Sequence, residues 1–150
     1  GSYQALLESN IKKYKITKAV QTAINLEKFF AGWGNKLEVL EKNGVVEIFR
    51  TYWLDSNQKM YVDTPWDTVI NAIEFIHKHR MNGENVLVNC AQGKSRSTTI
   101  VISYLMALQK LTPTDALAFI KTKRSLAEPN QWFMNGLEEF YKSDELAQIQ

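Results

Sequence analysis

Hydrophobic positions along the chain alternate between short apolar runs and helical repeats. Segments 16–23 and 45–54 are rich in β-branched and aromatic residues, which predicts strands. The apolar run at 86–88 predicts a short strand buried on both faces. Between these strands, apolar residues at helical spacing predict a helix with one buried face from Thr64 to Asn82. Strands that alternate with helices indicate an α/β layer fold.

Further helices are predicted around this pattern. A short one is expected near residues 4–13, and residues 97–111 are apolar nearly all round, which is typical of a helix in the middle of a domain. Thr112 precedes Pro113 and begins a capped helix to about Lys123. Asn130 opens the last predicted helix.

Composition and charge restrict the class of protein. The chain has 150 residues, 45% hydrophobic and 23% charged, so we expect one domain over residues 1–150. The net charge of +2 is too small to argue for nucleic acid or an acidic membrane surface, so we expect neither as a partner, and we see no membrane span or signal peptide. A single cysteine excludes an internal disulfide. We expect a monomer in the cytoplasm or the nucleus.

The candidate chemistry lies between the apolar strand and the central helix, in residues 90–97. A helix N-terminus offers unpaired N–H groups and partial positive charge, and a short turn before it wraps further N–H groups around an anion. Gly93 helps such a turn to curl, and Arg96 adds a planar fork that matches two phosphate oxygens. The same positive field lowers the pKa of a cysteine thiol to roughly 3.5–7.5. Cys90 is therefore predicted to be a thiolate near neutral pH.

Two histidines are the other candidates for thiol activation or metal binding. His77 and His79 both fall on the preceding helix, two positions apart, so they do not share a face. We interpret them as solvated surface residues, in preference to metal ligands or a partner for Cys90.

The segment around Cys90 resembles the dual-specificity phosphatases of the cysteine-based protein tyrosine phosphatase superfamily. The similarity extends over nearly the whole chain and is weaker between Asn25 and Tyr61. It is carried by Val86–Ser97, Ile102–Met106, Asp115–Arg124, Pro129–Met134 and Ile16–Val20. The resemblance implies a phosphotyrosine-phosphatase-like fold with a mostly parallel sheet of four or five strands flanked by helices.

The resemblance also implies a role for each residue of the segment. Cys90 matches the family's nucleophile, Arg96 its phosphate-binding arginine, and Ser97 the hydroxyl that stabilises the departing thiolate. The backbone of Ala91, Gln92, Gly93, Lys94, Ser95 and Arg96 matches the phosphate cradle. The family uses no metal or cofactor and acts on phosphoproteins, and its shallow pocket accepts phosphotyrosine and phosphoserine or phosphothreonine.

Two positions depart from the family pattern. Asn89 stands where the family has histidine, and because its amide also donates and accepts hydrogen bonds we expect a modest effect on the thiol pKa. In the family, the general acid is an aspartate on a loop after a strand. The family's usual spacing between this aspartate and the cysteine, counted back from Cys90, falls near Lys59, which is not an acid. Asp55 follows an aromatic strand and is preferred to Asp63, whose position suits helix-dipole stabilisation. Asp67 is interpreted as a capping-box residue.

Three functions remain open from the sequence. An active protein phosphatase with a phosphocysteine intermediate is preferred. The missing histidine and the uncertain acid motivate a phosphate-binding pseudophosphatase module instead. Lys94 motivates a phosphatase that acts on a phosphoinositide or an RNA 5′-phosphate, because an added cation suits a more highly charged group.

Overall fold

A computed structural model describes residues 9–22, 40–51, 67–89 and 96–150. Residues 9–13 and 40–42 are helical. The remaining elements are, in chain order, β1 (Ile16–Gln21), β2 (Glu47–Arg50), α1 (Asp67–Met81), β3 (Asn85–Asn89), α2 (Arg96–Gln109), α3 (Pro113–Lys123), α4 (Gln131–Tyr141) and α5 (Asp144–Ile149). None of the helices in these ranges combines the length and the apolar character that a membrane crossing requires. Strands alternating with helices confirm the predicted α/β class.

The sheet has β1 in its centre, in the order β2-β1-β3, and both pairings are parallel. At the carboxyl ends of the strands, the Cα of Gln21 is paired with Arg50 on one side and with Asn89 on the other. The described residues form three strands, so the expected four or five is wrong for this part of the chain. From Arg96 onwards the chain consists of successive helices with short connections, which leave no segment for another strand.

Both faces of the sheet are covered. On one face, Val20 packs with Ala72 and Ile76 of α1 and with Ile100 of α2. On the other, Ala19 belongs to an apolar cluster with residues of the two short helical segments. The run at 86–88 contributes to both clusters, as expected for a strand between two layers, yet its side chains are only half-buried.

The carboxyl-terminal helices pack around α2, which contacts α1, α3, α4 and β3. Their shared core contains the fully buried Phe133 and Phe140. Thr112 Oγ1 accepts a hydrogen bond from Asp115 N at 3.1 Å, and Asn130 Oδ1 accepts one from Phe133 N at 2.9 Å. These caps confirm the predicted helix starts. The short helix α5 was not predicted, although Ser143 caps it in the same way.

The prediction of solvated histidines is wrong. His79 is 8% exposed, and His77 is half-buried. The ring of His79 packs edge-on against Phe75, one turn earlier on α1, with ring centroids 4.6 Å apart. The buried face of α1 includes Val69 and Ile76, and the helical repeat carries it one turn further to His79, which places the imidazole against the protein.

Candidate active site

Two of the predicted site residues begin helix α2. Arg96 is its first residue and is 3% exposed, and Ser97 follows at 5%. Ile100, one turn further on, is fully buried in the cluster that contains Val20 of β1. Because Ile100 packs beneath the first turn, the amino end of α2 is held firmly against the sheet. Arg96 and Ser97 are thereby fixed at the helix start, where the sequence predicts an anion site.

Strand β3 brings the chain to the same end of the domain. It ends at Asn89, directly before Cys90, and α2 starts again at Arg96. A connection from a parallel strand to a helix lies at the carboxyl edge of the sheet, where α/β folds commonly bind their ligands. Cys90 and the cradle residues Ala91, Gln92, Gly93, Lys94 and Ser95 lie outside the described residues.

Positive charge is concentrated at this end of α2. The first turn contains no acidic residue that would offset the partial positive charge of the helix terminus. Arg96 places a full positive charge on a buried side chain at the same point. Two positive sources side by side attract an anion, and a guanidinium fork fits the oxygens of a phosphate group.

A buried glutamine at this edge was missed by the sequence reasoning. Gln21, the last residue of β1, is 0% exposed, and among the described residues neither Nε2 nor Oε1 of its side chain has a hydrogen-bond partner. An unsatisfied buried polar group typically costs about 1–3 kcal/mol. The available signal was a long polar side chain directly after the apolar pair Ala19-Val20, where the strand pattern calls for another core residue.

The remaining candidates divide between described and undescribed parts of the chain. Asp55 and Asp63 lie outside the described residues. Asp67 is the first residue of α1, and its expected capping-box partner Thr64 lies outside the described residues, so the capping role of Asp67 stays a prediction. In the described ranges, no group of three or more His, Cys, Asp or Glu side chains is arranged to hold a metal ion.

Comparison with known families decides the class. The family model described as "Dual specificity phosphatase, catalytic domain" matches residues 1–143. The chain belongs to the dual-specificity phosphatase family. This membership, within the cysteine-based protein tyrosine phosphatase superfamily, confirms the resemblance that the sequence shows over nearly the whole chain.

Curated dual-specificity phosphatases are similar over part of their length. Dual specificity protein phosphatase 22 of Xenopus tropicalis is 35% identical over 122 residues, which is 72% of this chain and 57% of that protein. Dual specificity protein phosphatase 1 of Arabidopsis thaliana is 40% identical over 89 residues, 59% of this chain and 41% of that protein. The chain thus spans about half the length of the curated relatives it matches.

Two solved structures share the fold of this chain. A crystal structure of DUSP15 aligns with a TM-score of 0.69 and 28% identity, covering 94% of this chain and 81% of that one. The crystal structure of PTPMT1 in complex with PI(5)P has a TM-score of 0.73 at 22% identity, with 92% of this chain and 83% of that one covered. At that identity the likeness to PTPMT1 concerns the fold alone.

Proposed function

We propose that this dual-specificity phosphatase domain hydrolyses phosphotyrosine and phosphoserine or phosphothreonine in proteins through a phosphocysteine intermediate on Cys90. The observation that carries the proposal is the position of Arg96 and Ser97. Both are buried at the start of a helix whose first turn lacks acidic residues. In the chain, Arg96 and Ser97 stand six and seven positions after Cys90. This arrangement favours a bound phosphate and a thiolate in one place.

The first step transfers the phosphoryl group to the enzyme. The Cys90 thiolate attacks phosphorus, a sulfur–phosphorus bond forms, and the ester oxygen–phosphorus bond breaks. Asp55 donates its proton to the leaving oxygen, so the product leaves as a neutral alcohol or phenol. Arg96 and the peptide N–H groups of residues 91–96 bind the non-bridging oxygens and stabilise their charge in the transition state.

The second step returns the enzyme to its starting state. A water molecule attacks phosphorus while the Asp55 carboxylate accepts its proton, and the sulfur–phosphorus bond breaks to release inorganic phosphate. The hydroxyl of Ser97 donates a hydrogen bond to the departing sulfur and stabilises it as a thiolate. No external reductant, metal or cofactor is needed for the atoms and charges to balance.

The substrate class within this chemistry is part of the same proposal. Family membership favours phosphoprotein substrates, and the net charge of +2 favours neither nucleic acid nor a membrane. Lys94 is the observation in favour of a second candidate, a phosphoinositide or an RNA 5′-phosphate, because a cation in the cradle suits a highly charged head group. The monomeric state and the location in the cytoplasm or the nucleus stay predictions.

Hydrolysis of an aryl phosphate by the wild type and by Cys90→Ser tests the nucleophile. We expect turnover by the wild type and none above background for Cys90→Ser, because a serine hydroxyl is not ionised in this field. Comparable turnover by the two proteins would rule out the phosphocysteine route.

The phosphate-binding role of Arg96 has a matched control in the chain. Arg96→Lys keeps the charge but loses the fork, so we expect kcat/KM to fall by about a hundredfold. Arg80→Lys makes the same chemical change at an exposed position on α1 and is expected to leave kcat/KM unchanged. Equal effects of the two substitutions would contradict the proposed role.

The alternatives have their own outcomes in the same assays. Phosphopeptide binding that Arg96→Lys weakens, without turnover at any pH, would replace the enzyme with a phosphate-binding module. Salt-dependent turnover of inositol phosphates or RNA 5′-phosphates far above that of phosphopeptides, lost in Lys94→Gln, would replace the protein substrate with that candidate.

A further inference from the structure

Two exposed segments meet at the amino ends of strands β1 and β3. Residues 12–15 precede β1, and residues 78–85 run from the last turn of α1 to the first residue of β3. Asn85 Nδ2 donates a hydrogen bond to the backbone oxygen of Tyr14 at 2.6 Å, which joins the two segments. We call residues 12–15 and 78–85 together the amino-edge surface, because it lies at the opposite edge of the sheet from Arg96.

Positive charge is concentrated on the amino-edge surface. Its exposed cations are Lys12, Lys13, Lys15, Lys78 and Arg80. Its acidic residue, Glu84, already accepts a hydrogen bond from the Thr17 hydroxyl at 2.9 Å and lies 3.5 Å from Lys18 Nζ. The whole chain carries a net charge of +2, so without these five cations the rest of the chain carries −3. The small net charge therefore conceals one strongly basic surface.

Exposed apolar side chains lie among these cations. Met81 is 72% exposed, the largest value for a large hydrophobic residue in the described ranges, and Tyr14 is 54% exposed. Lys13 Nζ lies 5.2 Å from the centre of the Tyr14 ring, so a cation and an aromatic ring stand side by side. Nucleic acid would match the charge but would leave the flexible Met81 side chain in water. Anionic lipids offer both negative headgroups and an apolar layer beneath them.

We propose that the amino-edge surface binds the face of an anionic lipid membrane, with its cations at the headgroups and Met81 and Tyr14 at the boundary with the acyl chains. Tyrosine is favoured at this boundary because its ring is apolar and its hydroxyl is polar. The five residues of β3 span about 13 Å and run away from this surface towards Asn89. A bound membrane therefore leaves the carboxyl edge of the sheet open to the aqueous phase, where phosphoproteins can reach it.

Co-sedimentation with vesicles tests the membrane contact. The vesicles contain phosphatidylcholine with about 30% phosphatidylserine, and vesicles of phosphatidylcholine alone are the neutral reference. We expect the wild type to bind the anionic vesicles, to bind the neutral vesicles at least tenfold more weakly, and to dissociate as the salt concentration rises. Equal binding to the two kinds of vesicle, or binding to neither at low salt, overturns the proposal.

A matched pair of double variants separates the position of the charge from its amount. In Lys13→Gln/Lys15→Gln we expect the partition coefficient to fall by about thirtyfold, from about fivefold for each cation near an anionic surface. The control Lys121→Gln/Lys123→Gln removes the same charge from exposed positions on α3, which contacts α2 and α4, and should stay within about twofold of the wild type. Equal losses in the two double variants would overturn the proposal, because overall charge alone would then explain the binding.

Met81→Gln distinguishes a membrane from nucleic acid as the occupant. Glutamine has a similar length but is polar, so we expect binding to the anionic vesicles to fall by about fivefold with the charge unchanged. Vesicle binding equal to that of the wild type would overturn the proposal. Tighter binding to a single-stranded RNA than to vesicles, lost in Lys13→Gln/Lys15→Gln and kept in Met81→Gln, would overturn it in favour of nucleic acid. These measurements need no turnover, so their outcome is independent of the proposed phosphatase activity.

Discussion

The guanidinium of Arg50 donates two parallel hydrogen bonds to the carboxylate of Glu41. Nη1 lies 3.0 Å from Oε2, and Nη2 lies 2.6 Å from Oε1. The pair ties the end of β2 to the helical residues 40–42, on the side of the sheet that does not carry β3. Both side chains are about two thirds buried, so solvent screens the pair only partly.

We predict that Arg50→Lys lowers the free energy of unfolding by about 1 kcal/mol, because lysine cannot form the two parallel bonds. Urea unfolding measures the change, and a double-mutant cycle with Glu41→Gln isolates the pair. A coupling energy below about 0.3 kcal/mol would mean that the two residues act independently. The alkylation rate of Cys90 should not change in either variant.

A second prediction concerns acid stability at Glu84, which joins β1 to the end of α1. Thr17 Oγ1 donates to its Oε2 at 2.9 Å, and Lys18 Nζ and His79 Nδ1 each lie 3.5 Å from the carboxylate. These contacts, the Thr17 hydrogen bond first, hold the pKa of Glu84 below its ordinary value of 4.5. A lowered pKa stabilises the folded state above the ordinary value, and this contribution is lost as the pH falls through the lowered one.

Glu84→Gln should therefore flatten the acid side of the stability profile. The measurement is urea unfolding between about pH 7 and pH 3, with Glu74→Gln on the exposed face of α1 as the control. The wild type and the control should lose stability more steeply below about pH 4.5 than Glu84→Gln. Parallel profiles for all three proteins would contradict the assignment.

A third prediction tests the helical core. Phe133 is 1% exposed at the start of α4, whereas Phe119 on α3 is 50% exposed. Phe133→Ala should lower the free energy of unfolding by about 3–5 kcal/mol, because the cavity cannot close between packed helices. Phe119→Ala should change it by no more than about 0.5 kcal/mol. Similar losses for the two variants would be inconsistent with this packing.

The general acid is tested by Asp55→Asn and Asp63→Asn in parallel. If Asp55 protonates the leaving oxygen, the substitution Asp55→Asn should reduce kcat by about a hundredfold or more with an alkyl phosphate. The loss should be smaller with an aryl phosphate, whose phenolate leaves without help. Asp63→Asn should retain the wild-type kcat with both substrates. A larger loss of kcat in Asp63→Asn than in Asp55→Asn would assign the role of general acid to Asp63.

Local signals in the sequence predicted the helices well. Thr112 and Asn130 predict the starts of two helices, because an N-cap depends only on residues two or three positions away. Ser143 carries the same signal before α5 and was overlooked. The burial of His79 also follows from a local rule, since the apolar repeat of α1 continues through its last turn.

Features that depend on strand pairing were harder to derive. No single segment of the sequence predicts the number of strands, because a strand is stabilised by neighbours that are distant in the chain. Arg96 and Ser97 were found because they follow Cys90 closely. Gln21 was missed because its closeness to Asn89 exists only after β1 and β3 have paired.

The pKa of the Cys90 thiol is the most direct test of the account. Because the chain contains one cysteine, the alkylation rate of the wild type against pH reports on this thiol alone. The positive end of α2 and the Arg96 guanidinium predict a pKa below about 7.5. A value of about 8.5, that of an ordinary peptide cysteine, would contradict the claim that this end of the sheet is built to hold an anion.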